Sequence, residues 1–313
     1  MSVPMPTFPI AEMLTAIRAA LAAHPRLVLE APPGAGKTTQ VPLALRDAPW
    51  LAGQKIVMLE PRRIAARAAA QFMAQQLGEE VGETVGYRIR FESRVSAATR
   101  IEVVTEGILT RLIQADPELA GIGAIIFDEF HERHLAGDLG AALALDVQAT
   151  LRPELRLLWM SATLDGERVA AWLDAPRITS PGRSFPVRIE YPPVRAQESF
   201  EQQLARVARQ ALGETDGDLL VFLPGRREIA RAKRVLEETL SPRERVAEGR
   251  ERVRAERAAA ASPDPLPRSL SRGKREEKIE ILPLHGELSL AEQQAALAPA
   301  EANTRRIVLA TNV

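Results

Sequence analysis

The stretch "LEAPPGAGKTTQ" (residues 29–40) follows a short apolar run and precedes a helical pattern. Gly34 and Gly36 allow the backbone to turn and to bring its N–H groups close to phosphate oxygens. Lys37 is then in reach of the β and γ phosphates, and the hydroxyl of Thr38 is in reach of a Mg²⁺ ion. The order of strand, glycine turn and helix therefore predicts a phosphate-binding loop. The alternative is a plain glycine turn with a surface lysine.

Short apolar runs recur along the chain and alternate with helical patterns. They are apolar throughout rather than at every second position, which is typical of strands buried on both faces. This alternation predicts an α/β fold with a mainly parallel sheet and helices on both sides. In the first part of the chain the runs are "RLVLEA" (26–31), "KIVMLE" (55–60), "RIEVVT" (100–105), "AIIFDEF" (124–130) and "RLLWMSAT" (156–163).

A proline- and glycine-rich segment, "SPGRSFPVRIEYPP" (180–193), indicates a domain boundary. We predict a first domain over residues 1–182 and a second over 183–313. A basic insertion at 241–278 interrupts the second domain and has too few large apolar residues to form a core. The chain stops inside a strand-like run, so we expect the second domain to be incomplete. Its strand-like runs are "VRIEY" (187–191), "DLLVFLPG" (218–225), "IEILPLHG" (279–286) and "RIVLATNV" (306–313).

The stretch "AIIFDEFHERH" (124–134) runs from an apolar strand directly into acids and histidines. In phosphoryl transfer one acid holds Mg²⁺ and a second orients the attacking water. We expect Asp128 and Glu129 to do this beside the phosphate loop, because ligands of such sheets bind at the carboxyl ends of the strands. A zinc site is the alternative. It is weaker, because His131 and His134 are one residue closer than the spacing that places two histidines on one helix face.

The composition limits the classes of function. Lys and Arg number 41 and Asp and Glu number 41, so no overall basic field indicates nucleic acid, and local patches would have to bind it. The absence of cysteine excludes disulfides and a thiol nucleophile and suits a reducing compartment. No apolar run reaches the roughly 18 residues of a membrane span, and the N-terminus lacks the pattern of a secretory signal. We therefore predict a cytoplasmic protein without a membrane segment.

An ordered set of motifs resembles the superfamily 2 helicases of the DEAH class. "DEFHER" together with "GYRIRFES" (86–93) is most similar to the bacterial HrpB-type ATP-dependent helicases. The resemblance covers nearly the whole chain except 241–278. In the first domain the motifs are "APPGAGKTT" (31–39), "PRRIAARAAA" (61–70), "VVTEGILTRL" (103–112), "DEFHER" (128–133) and "SAT" (161–163). In the second domain they are "LVFLPG" (220–225), "LPLHGEL" (282–288) and "IVLATN" (307–312).

The resemblance implies two RecA-like lobes of the P-loop NTPase fold, with ATP and Mg²⁺ between them and single-stranded nucleic acid across their top. The implied phosphate-binding residues are Gly34, Ala35, Gly36, Lys37, Thr38 and Thr39, and the implied metal ligands are Thr38 and Asp128. The implied catalytic residues are Lys37, Asp128, Glu129 and His131. Ser161 and Thr163 would couple hydrolysis to lobe movement. The implied nucleic-acid contacts are Arg62, Arg63, Arg90, Thr105, Gly107, Gly225, Thr311 and Asn312.

We therefore predict an ATP-dependent helicase that couples ATP hydrolysis to movement along a single strand, with RNA favoured over DNA. Two departures from the family stand out: Ala31 replaces the usual leading glycine of the phosphate loop, and the family's later arginine motif does not occur before Val313. We expect the chain to bind ATP far better than it hydrolyses it. Two alternatives remain open, a P-loop ATPase of another class that acts in transport and a nucleotide-binding fragment without catalysis. The sequence does not indicate the oligomeric state.

Overall fold

The computed structural model describes residues 8–162, 166–181, 186–240 and 278–311. The chain forms two compact units, Met1–Val187 and Arg188–Val313. The domain boundary predicted between residues 182 and 183 lies outside the described residues, and so does the predicted insertion at 241–278 except for Lys278.

The first unit alternates strands and helices along the chain. Its strands are β1 (Arg26–Glu30), β2 (Lys55–Leu59), β3 (Val85–Ile89), β4 (Glu92–Arg94), β5 (Ile101–Val104), β6 (Ile122–Phe127), β7 (Arg156–Ser161) and β8 (Arg177–Thr179). Its α-helices are α1 (Leu14–Ala23), α2 (Lys37–Leu45), α3 (Arg63–Leu77), α4 (Glu106–Ala115), α5 (Leu135–Thr150) and α6 (Gly166–Leu173). Short 3₁₀ helices occupy Pro9–Met13, Pro49–Leu51 and Phe130–Glu132.

The strands of the first unit form one eight-stranded sheet in the order β4-β3-β5-β2-β6-β7-β1-β8. All neighbouring strands are parallel except β3 and β4, which form an antiparallel hairpin. The mainly parallel α/β architecture predicted from the sequence is therefore confirmed.

Helices cover this sheet on both faces, which explains the continuous apolar runs. Successive side chains of a strand point to opposite faces, so a strand between two helical layers is apolar at every position. The first apolar layer joins the sheet to α1, α2 and α3 and includes Leu27, Ile56 and Ile126. The second layer joins it to α4, α5 and α6 and includes Val28, Val57 and Phe127.

The apolar runs do not predict β3, β4 or β8. β4 and β8 have only three residues each, and the β3–β4 hairpin contains arginines and a glutamate. None of these three strands therefore has the continuous apolar pattern of a buried strand. Gly86 is required in β3, because a Cβ atom at this position would overlap the backbone carbonyl oxygen of Arg94 on β4. The hairpin therefore depends on a close approach of two backbones, which an apolar pattern does not record.

The second unit contains a small parallel sheet. Its order is β10-β11-β9, and β9 (Leu219–Phe222), β10 (Lys278–Leu284) and β11 (Thr304–Ala310) are accompanied by α7 (Phe200–Glu214), α8 (Arg226–Thr239) and α9 (Leu290–Leu297). α7 and α8 pack on one face of the sheet, whereas Leu220 and Phe222 of β9 are exposed.

The strand predicted for "VRIEY" is wrong. Residues 187–191 lie within the described ranges and form no strand there. Their apolar side chains, Val187, Ile189 and Tyr191, alternate as in a strand but are exposed. A strand requires a hydrogen-bonding neighbour, and the pattern of a segment does not show whether it has one. None of the described helices is long and apolar enough to cross a membrane.

Candidate active site

The predicted site residues of the first unit follow the carboxyl ends of neighbouring parallel strands. Across the sheet the order is Arg90 after β3, Thr105 after β5, Arg62 after β2, Asp128 after β6, Ser161 at the end of β7 and the phosphate loop after β1. Backbone hydrogen bonds between these strand ends join Thr105 N to Arg88 O (3.4 Å), Glu60 N to Val104 O (2.9 Å), Asp128 N to Leu59 O (3.0 Å) and Ala31 N to Ser161 O (3.0 Å). One edge of the sheet therefore carries all of these residues.

The backbone of the phosphate loop adopts positive φ angles at its two glycines. Gly34 and Gly36 have φ angles of 77° and 89°, in the left-handed region that favours glycine. A Cβ atom on Gly36 would lie 2.8 Å from the ring of Phe8, so space also requires glycine there. The carbonyl of Ala35 accepts a hydrogen bond from Ile10 N (3.0 Å), which holds the loop to the N-terminal segment. Gly36 is the N-cap of α2, and the backbone N–H groups of the first helical turn are available to an anion.

Lys37 and Glu129 meet although they are far apart in the chain. Lys37 begins α2, is only 4% exposed, and its Nζ lies 2.7 Å from Oε1 of Glu129. Glu129 has a φ of 49°, which is unusual for a residue other than glycine and holds its side chain in the turn after β6. A buried ammonium requires an anionic partner, and here the acid that follows β6 is that partner.

Asp128 presents an unused acceptor inside the site. Its Oδ1 accepts a hydrogen bond from the backbone N–H of Glu129 (2.8 Å), whereas its Oδ2 is buried without a hydrogen-bond partner among the described residues. Burial and the charge on Glu129 raise the pKa of Asp128 to about 6, although Lys37 and the Thr38 hydroxyl favour its charged form. A buried carboxylate oxygen without a donor, beside a hydroxyl, suits a hard cation such as Mg²⁺.

A third carboxyl, that of the buried residue Glu60, belongs to the site but was not predicted from the sequence. It follows β2, and burial together with the charges on Asp128 and Glu129 raises its pKa to about 9. The available signal was the same as for Asp128, because the apolar run "KIVML" (55–59) also ends directly in an acid.

Glu60 makes the stability of the fold depend on pH. Its pKa is about 9 in the folded chain and 4.5 in its ordinary environment, so the folded chain holds a proton that the unfolded chain releases between these values. Its contribution to the free energy of unfolding is therefore complete below about pH 4.5 and declines as pH rises towards 9. We expect Glu60→Gln, which has no proton to lose, to raise Tm at pH 8 by several degrees, since about 1 kcal/mol shifts Tm by about 2–4 °C.

The measurement is thermal unfolding of the metal-free chain between pH 6 and pH 9. The matched control is Glu12→Gln, a change at an exposed glutamate of the same unit. The difference in Tm between Glu60→Gln and the parent chain should grow with pH, and the difference for the control should not. Parallel Tm curves for Glu60→Gln and the parent chain would contradict the protonated state of Glu60.

The turn after β6 connects three strand ends. His131 Nδ1 lies 3.4 Å from Glu129 Oε2 and 3.4 Å from the backbone nitrogen of Ala162, which follows β7. Glu132 accepts a hydrogen bond from Arg62 on one carboxylate oxygen (2.8 Å) and lies 2.9 Å from His134 Nε2 on the other. The two histidines thus have separate partners. Among the residues that the structure describes, no group of three His, Asp or Glu side chains is arranged to hold a metal ion.

The remaining predicted residues of the first unit lie at or near strand and helix ends. Arg62 is the N-cap of α3 and Arg63 its first residue, Thr105 is the N-cap of α4, and Gly107 lies in the first turn of α4. Arg90 is exposed in the β3–β4 turn. Ser161 is buried at the end of β7, and Thr163 lies outside the described residues.

In the second unit, Gly225 and Thr311 lie at the carboxyl ends of neighbouring strands. Gly225 is the N-cap of α8 shortly after β9, and Thr311 follows β11 and donates its backbone N–H to Leu284 O of β10 (3.2 Å). The structure thus brings these two residues to one edge of the small sheet. Asn312 lies outside the described residues.

Comparison with known proteins identifies the family. Residues 13–172, more than half of the chain, match the family model described as DEAD/DEAH box helicase. The chain belongs to this family. It is 44% identical over 310 residues to the ATP-dependent RNA helicase HrpB of Escherichia coli (strain K12), covering 99% of this chain and 34% of HrpB. It is also 34% identical over 289 residues to the pre-mRNA-splicing factor ATP-dependent RNA helicase prp22 of Schizosaccharomyces pombe, covering 92% of this chain and 22% of prp22.

Solved structures of helicases in this family match the fold. A crystal structure of the E. coli DEAH/RHA helicase HrpB aligns with a TM-score of 0.82 and 43% identity, covering 98% of this chain and 35% of that one. A crystal structure of the E. coli DExH-box NTPase HrpB aligns with a TM-score of 0.73 and 42% identity, covering 99% and 34%. The RecA-like fold predicted from the motifs is confirmed, with a small and partial second sheet. The chain spans about a third of the length of HrpB.

Proposed function

We propose that this chain binds ATP and single-stranded nucleic acid as part of an ATP-dependent RNA helicase, which couples ATP hydrolysis to movement along the strand. The observation that supports this most is the ion pair between Arg62 and Glu132, at 2.8 Å. It joins the turn that carries the acid pair to the arginine that follows the neighbouring strand. HrpB and prp22 are described as ATP-dependent RNA helicases, which favours RNA over DNA.

On the nucleotide side, the buried Lys37 ammonium would exchange Glu129 for the β and γ phosphates of ATP, and the loop N–H groups would bind the same phosphates. Freed from Lys37, the Glu129 carboxylate would orient the attacking water and accept its proton. Thr38 and Asp128 would hold Mg²⁺, which when bound offsets the charge of the phosphates. The buried Oδ2 of Asp128, which has no hydrogen-bond partner in the part of the chain that the structure describes, is the feature that suits this ion.

On the nucleic-acid side, Arg62, Arg63 and Arg90 would contact phosphates, and Thr105 and Gly107 would lie along the strand. Charged contacts to the backbone bind without regard to base sequence, as movement along a strand requires. In the second unit, Gly225, Thr311 and Asn312 would take corresponding positions. His131, Ser161 and Thr163 would transmit the nucleotide state to lobe movement.

The Arg62–Glu132 ion pair suggests how the two sides communicate. A phosphate of the nucleic acid would compete with Glu132 for the Arg62 guanidinium. Glu132 lies in the same short turn as Glu129, and its backbone nitrogen donates to Glu129 O (2.9 Å). Release of Glu132 would therefore change the turn that carries the catalytic acid. A transport ATPase has no need of this connection.

The proposal predicts that ATP and single-stranded RNA change each other's affinity. Fluorescence anisotropy of a labelled single-stranded RNA, with and without a non-hydrolysable ATP analogue and Mg²⁺, should show a change in Kd of at least about fivefold. The affinity should fall as salt rises, because phosphate contacts release counterions. Glu132→Gln should bring the two Kd values together without loss of ATP binding.

The matched control is Asp138→Asn, which removes another carboxylate near the same turn, one that binds Arg133 (3.1 Å). It should leave the change in Kd intact. ATP binding without any salt-sensitive RNA binding would instead favour a P-loop ATPase of another class. If the parent chain binds RNA with the same Kd in the presence and absence of the ATP analogue, a nucleotide-binding fragment without coupling is favoured.

A further inference from the structure

A buried glutamate ends β1, directly before the phosphate loop. Glu30 is 6% exposed, and it lies on the same face of the sheet as Val28, which packs in the layer of α4, α5 and α6. Like Glu60 and Asp128, it stands at the carboxyl end of an apolar strand, but its hydrogen-bond partners belong to a different part of the fold. These partners indicate what the acid does.

The Glu30 carboxylate accepts three hydrogen bonds. Its Oε1 accepts one from the backbone N–H of Gly166, the first residue of α6 (2.9 Å). Its Oε2 accepts one from the guanidinium of Arg177 (3.0 Å) and one from the hydroxyl of Thr179 (3.3 Å), both on β8. A buried carboxylate requires such donors because it has lost its contact with water. The carboxylate thus joins the end of β1 to the start of α6 and to β8.

Gly166 is fitted to this contact. A Cβ atom at position 166 would lie 2.3 Å from the carboxylate carbon of Glu30 and 2.3 Å from its Oε1. The backbone of α6 therefore approaches the carboxylate more closely than a residue with a side chain would allow. The hydrogen bond and the glycine together hold the start of α6 against the end of β1.

The attachment of β8 to β1 is already made by the backbone. The two strands pair in parallel from Val28 and Arg177 onwards, and Ser180 donates its backbone N–H to the carbonyl of Glu30 (2.8 Å). Replacing a buried ion pair by apolar residues often costs a protein no stability, so stability alone does not explain an acid here. The distinct contribution of the carboxylate is therefore its hold on Gly166.

Gly166 ends a short segment that begins beside the proposed catalytic acid. Only residues 163–165 separate Gly166 from Ala162 in the chain. The backbone nitrogen of Ala162 lies 3.4 Å from Nδ1 of His131, in the turn after β6 that also carries Glu129. Segment 162–166 thus has the turn after β6 at its beginning and Glu30 at its end.

We propose that Glu30 is a positioning residue, which holds the end of segment 162–166 through Gly166 and thereby keeps His131 in place. The inference rests on the proposed function and deepens it, because it explains how the two ends of the turn after β6 act on each other. Glu30 is then necessary for the mutual effect of ATP and RNA, but not for the binding of either ligand alone.

The position of His131 in the turn gives the physical reason. His131 lies in the chain between the two acids of the proposed coupling, Glu129 and Glu132. When a phosphate of the nucleic acid displaces Glu132 from Arg62, a His131 that is held in place passes the change on to Glu129. If segment 162–166 is loose, the segment shifts instead and Glu129 keeps its position.

The test measures the Kd of a labelled single-stranded RNA with and without a non-hydrolysable ATP analogue and Mg²⁺. Glu30→Ala should reduce the change in Kd from at least about fivefold to less than about twofold, with the affinity for the ATP analogue within about threefold of the parent chain. Glu30→Gln should retain the change in Kd, because its amide oxygen can still accept the hydrogen bond from Gly166.

The matched control is Arg177→Gln, which removes the cationic partner of the same carboxylate but leaves its hydrogen bond with Gly166. It should lower Tm, because it leaves a buried charge without its counterion, and it should not alter the change in Kd. Hydrogen exchange read by mass spectrometry measures the hold itself. The peptide that contains Ala162 and Gly166 should exchange faster in Glu30→Ala than in the parent chain, and at the parent rate in Glu30→Gln.

The outcomes distinguish this inference from the function on which it rests. If the ATP analogue does not change the Kd for RNA in the parent chain, the proposed function fails and the positioning role fails with it. If the parent chain shows the change and Glu30→Ala shows it equally, only the positioning role is overturned. An equal loss in Arg177→Gln, or unchanged exchange of the peptide in Glu30→Ala, would also overturn it, because the effect would then not come from the hold on Gly166.

Discussion

Replacing Lys37 with alanine will weaken ATP binding at least about 100-fold. Its ammonium is the buried cation of the site, and ATP would use it for both the β and the γ phosphate. A hydrogen bond to a charged group contributes about 1.5–3 kcal/mol, so losing two of them corresponds to at least about 100-fold in affinity. Titration with a fluorescent ATP analogue in the presence of Mg²⁺ measures the effect.

The control for Lys37→Ala is Lys233→Ala, which removes a lysine of α8 near Glu237 (3.8 Å) in the second unit. Alanine at position 37 also leaves Glu129 without its cation, so Tm should fall. The ATP titration is therefore made at a temperature where both variants remain folded. An ATP affinity equal to that of the parent chain would reject the assignment of residues 34–39 as a phosphate loop.

Replacing Glu129 with glutamine will preserve ATP binding and reduce ATP turnover by about 10²- to 10⁴-fold, the usual effect of removing a general base. Glutamine keeps the size of the side chain but cannot accept the proton of the attacking water. The variant also releases Lys37 from its ion pair at 2.7 Å, so ATP affinity should stay the same or increase. Hydrolysis with the chain in excess over ATP, measured beside equilibrium binding, separates the two effects.

Glu118→Gln is the matched control for Glu129→Gln, because it makes the same change at an exposed glutamate. Its hydrolysis rate should equal that of the parent chain. Normal hydrolysis by Glu129→Gln would contradict the role of Glu129 with water. Loss of ATP binding would instead mean that its ion pair with Lys37 builds the phosphate loop.

Much of the first unit could be predicted from the sequence, because its central strands are apolar at every position. The runs that become β1, β2, β5, β6 and β7 all have helices on both faces in the structure. The outer strands β4 and β8, and β3 beside β4, were harder to predict. β3, β4 and β8 are short or rich in charge, and "VRIEY" has a strand pattern without a strand. For such segments, strand formation depends on whether a neighbouring strand is available to pair with, rather than on the apolar pattern of the segment itself.

The candidate site shows the same division. Lys37, Asp128 and Glu129 stand in recognisable motifs, so their meeting at one sheet edge was expected, and the structure places Lys37 and Glu129 in contact. Glu60 was not selected, although it lies two residues before Arg62. Glu60 has the same sequence signal as Asp128, an acid directly after an apolar run, but only the structure shows it buried beside Asp128 and Glu129.

The sequence by itself determined the buried strands, the glycine turn before α2 and the acids after β6. These are properties of a dozen consecutive residues, namely their apolar period, their freedom at positive φ and their charge. Only the tertiary structure decided that β7 lies between β1 and β6, that Glu60 retains a proton beside Asp128, and that Arg62 binds Glu132. The reason is that strand order, desolvation and ion pairing are energies between distant segments, which arise only when those segments pack together.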